Sequence, residues 1–350
     1  MSFIFTFICF VLVLGITIFI HELGHFLFAK KAGIYVYEFS LGMGPQIFKF
    51  NRKNDETDYC IRLFPIGGFV QMAGEEIEMD ENIPEEKRMQ SKTWLQRFMT
   101  VIAGVLFNFI LAIILLFVVA LLSGVSTTKP IILEVDENYM ASTTNLQSGD
   151  TIIKVNGKST PNTDMFLLEM QVNSGKNLKL RVKHENGEYE TITIEPKQEE
   201  LEGEKIYRYG FSLESEIEKG FLVSIKYAFE KTISLINQMI HIIWYLITGK
   251  LELNSLSGPI GIYNVVGDVA KTGIINMIYL VAYLCINVGF MNLLPIPALD
   301  GFRAFFLIIE KIKGSPVNPK IENTINAVGL MLLMVLMVVI TWNDIFRFIL

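Results

Sequence analysis

The sequence predicts an α-helical multi-pass membrane protein with four transmembrane helices and an inserted α/β domain. Of its 350 residues, 51% are hydrophobic and 19% are charged, whereas about a quarter of the residues of a soluble protein are charged. Four apolar runs approach or exceed the length of about 20 residues that crosses a bilayer. These runs cover residues 3–29, 98–122, 274–294 and 325–341.

A fifth apolar run, residues 221–247, carries charged side chains among its hydrophobic ones. Each charge at the centre of a bilayer costs about 2.5–3.5 kcal/mol on insertion scales. The run is therefore predicted to be an amphipathic helix lying on the membrane surface.

Charge and cysteine content exclude several classes of protein. The formal net charge is −6, so a surface field strong enough to hold nucleic acid is not expected. Three cysteines, Cys9, Cys60 and Cys285, are an odd number, and two of them lie in apolar runs. Neither a disulfide framework nor a cysteine-based metal site is indicated.

Basic residues predict the orientation in the membrane. Lys30 and Lys31 follow the first span, and Lys92 and Arg97 precede the second. Further basic residues fill the loop between the last two spans. Because short cytoplasmic loops are enriched in Lys and Arg, these loops are expected in the cytoplasm. The long segment between the second and third spans is then extracytoplasmic.

The first span contains the pattern H-E-x-x-H at residues 21–25. Residues four apart on a helix lie about 40° apart around its axis, so His21 and His25 can face one metal ion. Glu22 is offset by about 100° and can reach a metal-activated water without binding the ion, which suits a general base. Ionisable groups inside an apolar helix are costly unless something coordinates or solvates them, which favours a zinc site.

Zinc requires a third protein ligand and one open position. A histidine six residues after His25, as in metzincins, is excluded because that position is Lys31. A downstream glutamate, as in gluzincins, remains open because residues 72–92 contain several. His184 and His241 lie in the segment predicted to be extracytoplasmic and are expected to be ordinary surface or interfacial residues.

Asp300 is the favoured third ligand. It follows Pro295 and Pro297, and a regular helix cannot continue through two prolines so closely spaced. Opened backbone at membrane depth is tolerated only inside protein or beside water, so this end of the span can aim Asp300 at the metal. The alternative is a simple helix end. If residues 221–247 lie on the surface, the first and third spans run parallel and Asp300 reaches the side of the histidines.

The two motifs together resemble the site-2 protease family, the M50 intramembrane zinc metalloproteases. They are H-E-x-x-H in the first span and N-x-x-P-x-P-x-L-D-G at residues 292–301. The resemblance implies Zn²⁺ as the cofactor, His21, His25 and Asp300 as its ligands, and Glu22 as the catalytic base. It also implies a place for Asn292 beside the substrate or metal pocket. The alternative for Asn292 is a hydrogen bond between helices.

Other segments resemble the bacterial branch that contains a PDZ domain, represented by regulator-of-sigma-E protease. Residues 64–72, F-P-I-G-G-F-V-Q-M, are similar to its membrane-reentrant β-hairpin. This implies substrate binding by Gly67, Gly68 and Phe69 through addition of an unwound substrate strand. The alternative is a plain cytoplasmic loop with a hairpin.

Two more motifs extend the resemblance along the chain. Gly104 and Asn108 match the G-x-x-x-N pattern of the second span, and Asn108 either binds substrate or bonds one helix to another. Residues 257–261, S-G-P-I-G, match a segment before the third span. Residues 146–157, L-Q-S-G-D-T-I-I-K-V-N-G, are similar to the core of PDZ domains, which implies a substrate gate that takes a peptide or an ectodomain.

The predicted organisation has seven parts. In chain order they are the first transmembrane helix with the zinc motif (1–30), a cytoplasmic-side loop with the reentrant hairpin (31–97), the second transmembrane helix (98–122), an extracytoplasmic PDZ-like domain (128–200), membrane-surface amphipathic helices (215–270), the third transmembrane helix with the Asp ligand (273–301), and the fourth transmembrane helix (324–345).

The sequence therefore predicts a zinc metalloendopeptidase that cleaves a transmembrane substrate in the bacterial cell membrane, with its zinc site toward the cytoplasm. An anti-sigma factor or a remnant signal peptide is the substrate class that the resemblance implies, in regulated intramembrane proteolysis. One rival is a non-proteolytic receptor or scaffold, which has no need of buried ionisable groups. A second rival is a zinc transporter, which requires further intramembrane His or Asp residues; the apolar runs 98–122 and 325–341 contain none.

Overall fold

A computed structural model describes residues 3–53, 55–74, 82–126, 128–201, 204–213, 217–252, 255–315 and 317–348. The chain forms two compact units. The first unit combines Met1–Leu115 with Leu253–Leu350, and the second unit is Leu116–Glu252.

Helices make up most of the ordered structure. Those of the described residues are, in chain order, α1 (Phe3–Ala32), α2 (Trp94–Ser123), α3 (Thr163–Val172), α4 (Phe221–Ile247), α5 (Pro259–Thr272), α6 (Ile274–Leu293), α7 (Asp300–Lys313) and α8 (Pro319–Phe348). The strands are β1 (Val36–Asn51), β2 (Asp58–Met72), β3 (Val125–Ser126), β4 (Ile132–Val135), β5 (Thr151–Val155), β6 (Lys158–Ser159), β7 (Leu178–Lys183), β8 (Tyr189–Ile194), β9 (Lys197–Leu201), β10 (Glu204–Arg208), β11 (Phe211–Leu213) and β12 (Ile217–Glu218).

Four of these helices, α1, α2, α6 and α8, are long and apolar enough to cross a membrane. This confirms the number of spans predicted from the sequence, by length and composition. Helix α4 is not among the candidate spans within the described residues. The loop between the last two spans, which the sequence marked only by its basic residues, contains a further helix, α7.

Strands β1 and β2 form a sheet of four segments in the first unit. Phe39, near the start of β1, pairs with Val70 on one side and with Tyr59 on the other, and Tyr59 also pairs with Phe50 at the far end of β1. In the sequence, a stretch typical of a strand covers residues 35–39 and is followed by glycines at 42 and 44. Strand β1 continues to Asn51 because two glycines with positive φ bend it without ending it.

The inner side of this sheet packs on α1. Buried side chains from both elements, among them Ala29, Val36 and Val70, form one apolar cluster, and the rings of Phe26 and Phe39 meet edge to face at 5.2 Å. Other apolar side chains of the sheet are exposed. These are Met43, Ile47, Phe48, Phe50, Ile61, Leu63 and Phe64.

The second unit contains a four-stranded antiparallel sheet of order β6-β5-β7-β8. In β7, Leu178, Leu180 and Val182 are fully buried while the intervening residues are exposed, which is the alternation of a sheet with one buried face. Phe166 of α3 covers this face, and the β4–β11 pair completes the same core.

Helix α4 has two apolar faces. One face buries Tyr245, which joins a cluster with Met165 and Leu168 of α3, and Lys231 donates a 2.6 Å hydrogen bond to Asp164. The opposite face is an exposed apolar stripe at helical spacing. The stripe consists of Leu222, Phe229, Ile233, Ile240, Trp244 and Ile247.

Candidate metal centre

The helical spacing of the H-E-x-x-H motif brings its two histidines together as expected. His21 and His25 are both buried on α1, with ring centroids 4.8 Å apart. Their Nε2 atoms lie 3.3 Å apart and face the same side. Two adjacent ring nitrogens in an apolar helix provide a pair of metal-binding lone pairs.

The broken segment after α6 delivers the carboxylate. Helix α6 ends at Leu293 and α7 begins at Asp300. Between them Ala298 adopts φ +73°, an unusual conformation for a residue with a side chain, and Asn326 of α8 accepts a 3.1 Å hydrogen bond from its N–H. Gly301 is required at the turn, since a Cβ there would lie 2.3 Å from the Leu293 carbonyl oxygen.

Asp300 completes a set of three ligand atoms. Its Oδ2 lies 3.0 Å from His21 Nε2 and 3.2 Å from His25 Nε2. Zinc bonds of 2.0–2.1 Å in a tetrahedron separate the ligand atoms by about 3.3 Å, so these three atoms match one face of such a site and leave the fourth position open. Among the described residues this is the only group of three or more His, Cys, Asp or Glu side chains so arranged.

Glycines allow α2 to approach the histidines closely. A Cβ on Gly104 would lie 2.3 Å from His25 Nε2 and 2.8 Å from His21 Cε1. A Cβ on Gly24 would lie 2.4 Å from the Ala103 carbonyl oxygen. Gly104, the glycine of the G-x-x-x-N pattern, thus leaves room for the two imidazole rings beside the candidate metal position.

Helix α2 also contacts the Nδ1 atom of each histidine, the ring nitrogen that does not face Asp300. The carbonyl oxygen of Thr100 accepts a 2.8 Å hydrogen bond from His25 Nδ1, which leaves His25 Nε2 free to bind a metal. The amide of Asn108 lies 3.3 Å from His21 Nδ1. The role of Thr100 was not predicted from the sequence, because a backbone carbonyl leaves no signal in residue type.

Glu22 is partly buried and lies against the sheet. A Cβ on Gly68 of β2 would lie 3.0 Å from Glu22 Cγ, so the β2 backbone passes directly against this carboxylate side chain. Gly67 has φ +85° and packs on Met43. Phe69 lies under the Arg62 guanidinium at 5.1 Å.

The remaining predicted residues lie as follows. Asn292 is partly buried in the last turn of α6. In the second unit, a hydrogen bond to Asp150 raises the pKa of His184 above its usual value, and His241 Nδ1 bonds to a carbonyl of its own helix.

Comparison with known proteins identifies the family. The model of peptidase family M50 matches residues 9–336. The chain belongs to peptidase family M50. A zinc metalloprotease RasP from Bacillus licheniformis is 33% identical, with 98% of this chain and 99% of that protein aligned. The regulator of sigma-W protease RasP from Bacillus subtilis is also 33% identical, with 99% of each chain aligned.

Membership of M50, the site-2 protease family, confirms the family predicted from the two motifs. It likewise confirms the predicted enzyme class, a zinc metallopeptidase with a membrane-integral chain. The three ligand atoms described above suit the metal of this family, because two imidazole nitrogens and one carboxylate oxygen are a donor set that zinc accepts.

Proposed function

We propose that this chain is an intramembrane zinc metalloprotease that hydrolyses a peptide bond within a transmembrane substrate. His21, His25 and Asp300 hold the metal, and Glu22 is the general base. The observation that carries the proposal is the meeting of three ligand atoms, 3.0–3.3 Å apart, from an apolar helix and a segment 275 residues later.

The positions of the side chains suggest separate roles for the metal and for Glu22. Zinc, when bound, supplies Lewis-acid activation of a water molecule and of the scissile carbonyl. Glu22 accepts the proton of the attacking water and returns it to the leaving amine. Its place next to His21 in α1 and against the β2 backbone supports this role, because the base then lies near both a proposed metal ligand and the proposed substrate strand.

The substrate binds as a strand beside β2. A helical peptide bond is shielded by its own turn and must unwind before it is cleaved, and an unwound segment pairs readily with a sheet edge. Gly67, Gly68 and Phe69 lie on the part of β2 next to Glu22, which supports strand addition there. Asn292 is assigned to the same substrate pocket, after the family motif that contains it.

The sheet is proposed to be membrane-reentrant. Its exposed apolar side chains, such as Phe48 and Phe64, support burial in lipid, since a soluble surface rarely exposes so many together. The basic loops support a cytoplasmic position for this side of the molecule and for the zinc site. The exposed stripe of α4 supports a helix lying on the opposite membrane surface.

The α/β domain of the second unit is proposed to be a PDZ-like gate. A groove of about 790 Å³ lies between α3 and β11, with Phe166, Leu167 and Phe211 in its lining. A groove between a helix and a strand suits an extended peptide. The partner is a peptide or the ectodomain of a substrate.

The substrate class is proposed to be a membrane-bound anti-sigma factor or a remnant signal peptide. The Bacillus subtilis relative is named a regulator of sigma-W protease, and its similarity over nearly the full chain supports this proposal.

Glu22→Gln tests the assignment of the base. The variant keeps the size of the side chain and the three ligands, so we expect zinc to stay bound while proteolysis of a transmembrane reporter falls by at least about 10²-fold. Zinc content is measured on the purified protein, and cleavage is followed in membranes. A Glu22→Gln protein that cleaves at the wild-type rate contradicts the proposal. A wild type without zinc would favour the scaffold rival.

A further inference from the structure

Asn108 contacts a candidate metal ligand but has no role in the proposed proton transfer. Its side chain is fully buried within α2, and its Nδ2 lies 3.3 Å from His21 Nδ1. Its Oδ1 is one of two buried side-chain atoms without a hydrogen-bond partner among the described residues. A buried polar atom left open costs about 1–3 kcal/mol, and one end of this amide is open in either orientation, so the contact with His21 decides between the two.

The chemistry of His21 determines which end of the amide faces its ring. His21 Nε2 faces Asp300 Oδ2 at 3.0 Å, and a ring nitrogen that binds a metal must present its lone pair. The ring proton then sits on Nδ1 and points at Asn108. If the amide nitrogen of Asn108 stayed opposite this N–H, two donors would face each other.

Turning the amide removes this conflict. The oxygen and nitrogen of an Asn amide have nearly the same shape and exchange places by a 180° rotation about the Cβ–Cγ bond. Oδ1 then accepts the hydrogen bond from His21 Nδ1–H. Since the other amide position lacks a partner in the described structure, the exchange breaks no further hydrogen bond.

The second histidine shows the same arrangement. His25 Nδ1 donates to the Thr100 carbonyl oxygen at 2.8 Å, so α2 provides an acceptor for both rings. Such acceptors fix the tautomer and the ring orientation of metal-binding histidines. The acceptor for His25 belongs to the backbone, whereas the acceptor for His21 is a side chain that substitution can remove.

We propose that Asn108 is a positioning residue whose amide oxygen holds the proton on His21 Nδ1 and directs Nε2 toward the metal. This inference rests on the proposed function, because it requires His21 to bind the metal. In this role Asn108 increases the affinity of the site for zinc. The sequence had instead suggested a direct contact with the substrate.

The test compares an apolar and an acceptor substitution. Asn108→Leu removes the acceptor at similar volume, while Asn108→Asp keeps an acceptor and removes the N–H donor. Full-length protein in detergent is loaded with one zinc per chain and titrated with a chelator. We expect Asn108→Leu to bind zinc about 10–100-fold more weakly, and Asn108→Asp to bind it at least as tightly as the wild type.

Asn287→Leu is the matched control. Asn287 is a partly buried residue of α6 whose amide nitrogen donates to the Tyr283 carbonyl oxygen of its own helix, so its loss should leave zinc affinity unchanged. Asn108→Ala replaces the leucine variant if that variant does not fold.

Two results would overturn the inference. One is wild-type zinc affinity in the apolar Asn108 variant. The other is an equal loss of affinity in Asn108→Asp, which would mean that the amide nitrogen is the required group. The proposed function fails by a different result, namely a wild type that binds no zinc or a Glu22→Gln protein that remains active.

Discussion

At the scale of single residues, the candidate metal centre depends as much on the absence of side chains at two glycines as on the side chains that are present. Gly104 leaves the space into which the two imidazoles project. Gly301 lets the start of α7 fold back on the end of α6. The ligands therefore meet only because the backbone can approach them at these two points.

Gly104→Ala is expected to abolish zinc binding without unfolding the helix. The added Cβ lies 2.3 Å from His25 Nε2, the atom that faces the candidate metal position, while alanine is the better helix former. We expect zinc affinity to fall by more than about 100-fold, which is a larger loss than the 10–100-fold typical of removing a hydrogen-bond partner of a metal ligand. The measurement is chelator competition on purified protein.

Gly15→Ala is the control for this change, since a Cβ at Gly15 of α1 meets nothing within 4 Å. Wild-type zinc affinity in Gly104→Ala would mean that the helices do not pack as closely as the structure has them.

Much of the residue-scale chemistry was predictable. The spacing of His21 and His25 follows from helical periodicity, and the two prolines before Asp300 signal the break in α6. The acceptor for His25 was not predictable, because Thr100 acts through its carbonyl oxygen. The contact between Gly68 and Glu22 depends on tertiary packing that no local pattern records.

At the scale of elements, α4 has one buried face and one exposed apolar face. Leu235 is 2% exposed, whereas Ile233 on the opposite stripe is 59% exposed. The buried face packs within the second unit, and the exposed stripe is the face proposed to contact lipid. Of the charged residues within the run, which argued against a span, Lys231 lies on the packed face and bonds to Asp164, whereas Lys226 and Glu230 are exposed.

The two faces predict opposite effects of substitution. Leu235→Ala should destabilise α4 by about 2–4 kcal/mol because it leaves a cavity in a packed interior. Ile233→Ala should leave the stability of the helix nearly unchanged. Hydrogen exchange of the α4 amides in the full-length protein measures the difference, and equal protection in both variants would contradict this division of faces.

Elements with an uninterrupted hydrophobic period can be predicted from the sequence, whereas elements interrupted by glycines or charged residues are harder to predict. In strand β7, apolar and polar residues alternate without interruption, which is the pattern from which a strand can be predicted. Strand β1 runs past Gly42 and Gly44, which look like strand ends in the sequence, because their positive φ only bends the strand. Helix α7 was missed because its apolar residues are interspersed with charged ones that were taken as a loop.

At the scale of the whole molecule, function depends on bringing together distant parts of the chain. Asp300 Oδ2 lies 3.2 Å from His25 Nε2 although 275 residues separate them. From the sequence, Asp300 reaches the same side of the membrane as the histidines only if residues 221–247 lie on the membrane surface. The ligand atoms meet and α4 is not a candidate span by length and composition, while its surface position itself stays a prediction.

The measurement that tests this convergence most directly is the zinc content of Asp300→Ala compared with the wild type. The account predicts about one zinc per wild-type chain, with two imidazole nitrogens and a carboxylate oxygen at about 2.0–2.2 Å by X-ray absorption, and loss of the metal in Asp300→Ala. An Asp300→Ala protein that retains zinc with the same affinity and coordination would contradict it.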